Sequence, residues 1–534
     1  MLGLELLLGS WAITSLITLT IILLLYWFST NNHAYWKKRG VPYHKPLPLI
    51  GSMADIIKKP MHDIELDRYM EYGPIYGHFE GNRPLLSVGD PALLRDILVK
   101  DFPAFCSRRN FNTGEKLVDS MLSVIKGDDE WKRIRTIVTP TFTTGKIKRM
   151  MGIFSDCAKT IVQNFRNLTN EGKPIDAKRM YGAYSMDVIA SSAFSTKIDS
   201  HNDPDNQFVT KAKSVFTRKI NWRFFLFIVA PKLTKLFGIN VFNAEVMSFF
   251  KQATLQIMEE RKRTGQTRND FLQLLMDTAK EVSDEQKKDV QEKGDIASNY
   301  GDIDINPHIL KNVTSKNLSL DELVAQCIIF FLAGYDTTAS TLSFSSYLLA
   351  VNPDIQDRVR QEVDEAIQEA NGELTNEAIQ SMKYLDNVIS ESLRMYPPGT
   401  RLERVAEYDY KLGDTGITIP KDMIVTIPIY GMHRDPKYFP NPEKFDPDRF
   451  TPEERANRPQ YAYLPFGAGP RNCVAMRFAL MEVKVCLAHI IANFHIIKCP
   501  ETQEPLEFLN GQSILQPKGI FLRMEARSDS PIAK

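Results

Sequence analysis

From Leu6 to Phe28 the chain carries no charged side chain. Wound as a helix rising ~1.5 Å per residue, such a run crosses a hydrocarbon core of ~30 Å. Trp27, Tyr35 and Trp36 stand where an interfacial aromatic belt is expected, and Lys37-Lys38-Arg39 follow at once. The pattern predicts a membrane anchor over residues 1–30, with the rest of the chain facing the cytosol. A cleaved signal peptide fits less well, because the apolar run is too long and no basic residue precedes it. On that reading the sequons at Asn167, Asn312 and Asn317 stay unglycosylated. Pro42, Pro46 and Pro48, ending at Gly51, predict a stiff extended hinge over residues 31–51, since proline fixes φ and removes a donor. Short β-like pieces follow at Ile75–Phe79 and Leu85–Val88. From about Asp129 the period becomes helical, around Lys132–Thr139, Ile153–Phe165, Val246–Lys262 and Leu318–Ala350. The polar run Glu281–Asp304 reads as a solvated connection. No second compositional boundary appears, so residues 52–534 are expected to form one large, mainly α domain.

Composition narrows the class. With 43% hydrophobic and 25% charged residues and a net charge of +1, the chain is neither disordered nor built for bulk nucleic-acid binding. Its six cysteines (Cys106, Cys157, Cys327, Cys473, Cys486 and Cys499) are scattered, with no C-x-x-C, which suits a reducing compartment. Nine histidines form no zinc-type spacing. There is no G-x-G-x-x-G before a helix and no Walker A loop, so electrons are expected from a separate protein.

The candidate chemistry centres on Phe466-Gly467-Ala468-Gly469-Pro470-Arg471-Asn472-Cys473-Val474-Ala475. A Gly-rich turn delivers one cysteine to the start of a helix beginning near Met476. Free N–H groups and the positive dipole end there favour a thiolate, a strong donor to a soft metal such as haem iron. The loop resembles the haem-binding signature F-x-x-G-x-R-x-C of the cytochrome P-450 monooxygenases at every fixed position up to the cysteine. That family usually has Gly two residues after the Cys. Ala475 replaces it here, which bears on packing of helix against haem and not on ligation.

The resemblance extends along the whole chain. Ala333-Gly334-Tyr335-Asp336-Thr337-Thr338 lies in a long apolar helix pattern, where Gly costs ~1 kcal/mol relative to Ala and so asks for a reason such as room for a ligand and a local kink. It is similar to the family's oxygen-binding motif, which implies that Asp336 and Thr337 relay protons to dioxygen. A Thr bonded back to the helix beside an exposed Asp is the plainer alternative. Glu391-Ser392-Leu393-Arg394 reads by itself as a surface ion pair. The resemblance implies instead a buried triad of Glu391, Arg394 and, from Phe445-Asp446-Pro447-Asp448-Arg449-Phe450, Arg449, serving folding and haem retention. It also implies propionate contacts from Trp131 and Arg135 (the W-x-x-x-R helix), Arg471, Arg404 and Arg108. Phe466 and Gly334 complete the cofactor-binding set. Lys132 and Arg133 would steer an acidic reductase. The apolar segment Asn221–Val229 is either core or the part that dips into the membrane and roofs a substrate channel. Ile329, Phe330, Phe111 and Ile514 are candidate pocket positions.

Taken together, these elements look like a microsomal cytochrome P-450 of the animal xenobiotic-metabolising clan. Wording such as Thr139-Pro140-Thr141-Phe142-Thr143 leans toward an insect member. The resemblance implies the cytochrome P-450 fold, haem b with an axial cysteine thiolate, and insertion of one oxygen atom of O2 into lipophilic substrates. NADPH–cytochrome reductase would supply the electrons, with cytochrome b5 a further partner. It also implies an endoplasmic reticulum location, N-terminus lumenal and catalytic domain cytosolic. Two rivals are a peroxide-rearranging isomerase or dehydratase on the same fold and a non-enzymatic haem sensor. An intact Asp336-Thr337 argues against the first, since a peroxide substrate needs no proton relay. A sensor has no use for an oxygen motif and a lipophilic roof together.

Overall fold

The computed structural model describes residues 2–109, 113–203, 205–216, 226, 234, 244–268, 270–278, 317–512 and 514–532. Phe111, Asn312, the run 281–304 and, apart from Leu226, the segment 221–229 lie outside the described residues. The elements used below are α1 (Leu2–Thr30), α2 (Met61–Tyr72), β1 (Ile75–Glu80), β2 (Arg83–Val88), α3 (Asp129–Val138), α4 (Thr144–Asn170), β3 (Ile175–Asp176) and α5 (Ala177–Phe194). They continue with α6 (Leu320–Val351), α7 (Lys383–Met395), β4 (Leu402–Val405), β5 (Ile424–Ile427), α8 (Ile429–Met432), α9 (Met476–Asn493), β6 (Phe494–Ile497) and β7 (Phe521–Ala526). One four-stranded sheet has the order β1-β2-β5-β4, with β2 and β5 parallel and the other pairs antiparallel. A three-stranded sheet has the order β3-β7-β6.

Helix α6 organises the larger apolar core. It starts at a capping box, in which the Ser319 hydroxyl accepts from the Glu322 N–H and the Glu322 carboxylate accepts from the Ser319 N–H. From Leu323 to Ala350 it is buried almost throughout, packed on α5 and α9. It is apolar enough to cross a membrane by hydropathy, but it is enclosed by protein. The membrane-compatible run is Trp11–Thr30, mean hydropathy 2.0, whose Leu, Ile and Trp side chains are exposed. A second apolar core surrounds the first sheet and includes Trp36, Phe79, Leu98, Phe105, Val425 and Leu464.

Two expectations about the N-terminal region change. Trp36 is not at a membrane interface. It is 1% exposed, its Nε1–H donates to the His78 carbonyl (3.4 Å), and its ring fills the space over Gly77, where a Cβ would lie 2.3 Å away. Nor is 31–51 a free extended linker. The Gly77 and His44 N–H groups donate to the Pro42 and Gly77 carbonyls, and Ser52 N–H to Phe79, so the segment runs along β1 as an added edge. An unpaired sheet edge is satisfied by neighbouring backbone wherever chain lies close enough.

Asp187, inside α5, accepts from the Ser200 N–H (3.1 Å), and burial lifts its carboxyl to about 6. A folded-state pKa above the unfolded value means that the native state holds the proton more tightly. Stability is then lost as pH rises from ~4 through about 6. Asp187→Asn, which keeps the acceptor and removes the charge, is expected to raise the unfolding temperature by a few degrees at pH 7.5. At pH 4.5 the two proteins should nearly coincide in thermal scans.

Candidate active site

The cysteine loop lies at the seam of the two cores. Ala468 and Leu464 pack on the sheet core, and Phe466, Val474 and Ala475 on the helical core. Its shape follows from glycines. Gly467 and Gly469 have φ of +71° and +70°, a region that disfavours other L-residues. At Gly469 an added Cβ would also sit 1.9 Å from the Leu98 carbonyl oxygen. The turn closes through Gly467 N–H to Leu464 O (3.0 Å), Asn472 N–H to Gly469 O (3.0 Å) and Cys473 N–H to Phe466 O (2.9 Å). Ala475, at the N-cap of α9, has φ of −96°, which any L-residue adopts without strain. Its departure from glycine therefore has no backbone consequence.

Cys473 is solvent-accessible although the turn residues Gly469–Asn472 before it are buried. The protein packed around the sulfur desolvates it and raises its thiol pKa, while the Ala475 N–H and the guanidiniums of Arg135 and Arg108 pull it down.

Four arginines converge beside it. Arg135 on α3 donates to the Asn472 carbonyl (3.1 Å) and Oδ1 (2.7 Å). Arg108 donates to the Arg471 carbonyl (3.1 Å), and Arg404 on β4 to the Glu403 carbonyl (2.8 Å). None of Arg108, Arg135, Arg404 or Arg471 pairs with a carboxylate among the described residues. The Nε–H groups of Arg135 and Arg404 are buried without a partner. Burial and mutual repulsion lower their pKa values, Arg135 to about 10, Arg471 to about 9 and Arg404 well below the usual range. Buried cations without acids are costly, and an anionic group must offset them. The contrast with Arg109 is direct: one residue along, it is held by Glu80 and Glu403 at 2.5–3.1 Å.

Arg471 itself does something else. Its Nε and Nη2 donate to the Cys106 and Ile125 carbonyls (both 2.7 Å), Nη1 to Leu122 (3.4 Å), and its plane lies 4.4 Å from the buried Trp131 ring. With every guanidinium nitrogen engaged, it staples the loop to residues 106–125. Arg471 and Trp131 thus brace the loop beside the cationic cluster.

On α6, Ile329, Ala333 and Thr337, at i, i+4 and i+8, are among the few residues of its middle turns left incompletely buried. The Thr337 hydroxyl donates back to the Ala333 carbonyl (2.8 Å). Asp336 is 4% exposed. Its Oδ1 lies 2.9 Å from Lys178 Nζ, and its Oδ2 accepts from Gln516 Nε2 (2.6 Å). The plainer alternative is therefore half realised: the threonine bonds to its own helix, but the aspartate is buried and clamped. Lys178 and Gln516 carried no signal in the sequence, because both are ordinary surface residue types brought in by the fold. Gly334 lies where a Cβ would meet Ile189 of α5 at 2.8 Å, and α6 runs through it unbroken. Close packing of two helices leaves no room for a side chain at this glycine. Phe330 sits in a ring cluster with Phe142, Phe271 and Phe478 (centroids 4.5–5.5 Å), which makes it core. Ile514 is half-buried.

Glu391 and Arg394 are fully buried and bidentate (2.7 and 2.9 Å), with Arg449 Nε 3.3 Å from Glu391 Oε1. Asp446 N–H donates to the same oxygen (3.0 Å). On the α3 face, Lys132 pairs with Asp129 (2.9 Å), and Arg133 is 17% exposed and ion-paired with Glu322. Arg133 therefore braces α3 against the start of α6.

A cysteine presented by a glycine turn beneath a helix, beside cations that lack acids, defines a site for an anionic metal macrocycle with a thiolate ligand. The family description "Cytochrome P450" matches residues 41–524. The chain is 38% identical to Cytochrome P450 3A9 of Rattus norvegicus over 524 residues, 97% of each chain. It is 38% identical to Cytochrome P450 3A7 of Homo sapiens over 515 residues (95% of this chain, 96% of that one) and 39% to Cytochrome P450 3A11 of Mus musculus over 513 residues (95% of each). The chain belongs to the cytochrome P450 family. It is a haem b, cysteine-thiolate monooxygenase of the microsomal type, fed with electrons by a reductase, and its apolar α1 is a membrane anchor of the endoplasmic reticulum kind. The peroxide-rearranging alternative is not favoured.

Proposed function

We propose that this chain oxidises lipophilic small molecules, such as xenobiotics, plant toxins, insecticides or endogenous lipids, at a haem ligated by Cys473. The observation that carries the reading is the group of buried guanidiniums beside that cysteine that have no carboxylate partner among the described residues. Haem propionates would supply the missing anions, held by Arg108, Arg135 and Arg404, with Arg471 on Trp131 fixing the loop and Phe466 completing the cofactor-binding set. Glu391, Arg394 and Arg449 hold the fold around it. When bound, the haem supplies the binding and reductive activation of dioxygen, and the thiolate strengthens electron donation to it. Thr337 is one of the incompletely buried residues of α6, and Asp336 is the neighbouring proton source once released from Lys178 and Gln516. NADPH–cytochrome reductase, with cytochrome b5 as a second donor, docks on the cytosolic domain. Lys37-Lys38-Arg39 after the anchor support an N-terminus in the lumen.

The test is membranes reconstituted with reductase, NADPH and 18O2, assayed on a panel of apolar substrates. One labelled oxygen atom per product is expected. Product formation from an organic hydroperoxide alone, with none from NADPH and O2, would instead restore the rearranging reading. Thr337→Ala is expected to keep haem content and NADPH consumption while product per NADPH falls several-fold and hydrogen peroxide rises. Unchanged coupling in that variant would remove Thr337 from the relay.

A further inference from the structure

His433, the residue after α8, is fully buried between the Glu391–Arg394 pair and the start of the cysteine loop. Its surroundings fix what each ring nitrogen does. Nδ1 faces the Arg394 carbonyl (3.3 Å), which can only accept, and Nε2 faces the Leu464 N–H (3.0 Å), which can only donate. The imidazole is therefore neutral, with its proton on Nδ1. Burial and the guanidiniums of Arg394, Arg434 and Arg458 hold it well below its ordinary range. Its own carbonyl accepts from Arg394 Nη1 (2.8 Å), so Arg394 grips the residue from both ends. Leu464, whose N–H the ring accepts, then takes the Gly467 N–H on its carbonyl, and that turn ends at Cys473. Beside it Tyr463 lies 5.1 Å from the imidazole, centroid to centroid, and donates its hydroxyl to the Ser390 carbonyl of α7 (2.6 Å). A continuous set of hydrogen bonds thus runs from α7 to the turn carrying the cysteine.

We infer that His433 is a positioning residue that transmits the placement of the buried Glu391–Arg394 pair to the cysteine loop, through the lone pair of Nε2 on the Leu464 N–H. Without that acceptor a buried N–H is left unpaired where the loop is registered, through His433, against α7. The consequence is a shifted sulfur with the overall fold retained. The inference rests on Cys473 being the iron ligand.

Three substitutions separate this role from simple packing. Glutamine places an acceptor near the Nε2 position, asparagine only near Nδ1, and phenylalanine keeps ring volume with no polar atom. Holoprotein in membranes is reduced and exposed to carbon monoxide. The share of haem giving the strongly red-shifted thiolate band is then read against total haem. His433→Gln is expected to keep that share close to the wild-type value, and His433→Asn and His433→Phe to lower it at least two-fold, with faster loss of the band in mild urea. Phe equal to wild type, or Gln no better than Phe, overturns the inference. A wild-type protein lacking the thiolate band removes the Cys473 assignment and this one with it, an outcome distinct from a failure of His433 alone.

Discussion

Cys473→Ser is expected to lose the red-shifted carbon monoxide band altogether and NADPH-dependent turnover with it. Serine preserves size and can keep the backbone bond from Cys473 N–H to Phe466 O, so the loop has no steric reason to change. The electronic difference is large. A hydroxyl stays protonated where a thiol coordinated to iron does not, and a hard oxygen is a poor donor to the soft site that sulfur suits. The surrounding charge is arranged for an anion at this point: Arg108, Arg135 and the Ala475 N–H all favour the thiolate against its burial. The measurement is the reduced carbon monoxide difference spectrum of wild-type and variant membranes. A properly folded wild type whose band lies where histidine-ligated haem absorbs would mean that Cys473 does not hold the iron.

Glu391→Ala is expected to give mostly haem-free or misfolded protein. The carboxylate is completely buried and serves Arg394 through two short bonds, Arg449 across 3.3 Å and the Asp446 N–H. Truncating it strands two guanidiniums in the protein interior. Breaking one side of a buried ion pair costs roughly 3–5 kcal/mol, a large part of the stability of an ordinary domain. Its effect reaches the haem site because Arg394 also ties α7 to the His433, Pro442 and Lys444 carbonyls, the chain leading back to the cysteine loop. Haem per protein after purification is the quantity to measure, and normal content in the variant would refute the structural role.

Much of this protein was legible in the chain. The anchor was visible as an uncharged run, because a bilayer tolerates few charges. The cysteine turn was visible because two left-handed positions, one pressed against a carbonyl, admit little besides glycine. The start of α9 was marked by the loop itself. In each case the constraint is local, so residue type and spacing carry it. What the sequence could not decide were partners. Lys178 and Gln516 on Asp336, Glu322 on Arg133, and Glu80 and Glu403 on Arg109 come from distant segments. Nothing near Arg108 and Arg109 tells which one is neutralised and which is left for an anion. The same holds for Trp36 and the hinge, where the sequence read membrane and linker, and packing on β1 made core and sheet edge. Local chemistry, which depends on a few neighbouring residues, was determined by the sequence. The pairing of charges depends on which segments the fold brings within a few ångströms, and only the tertiary structure decided it.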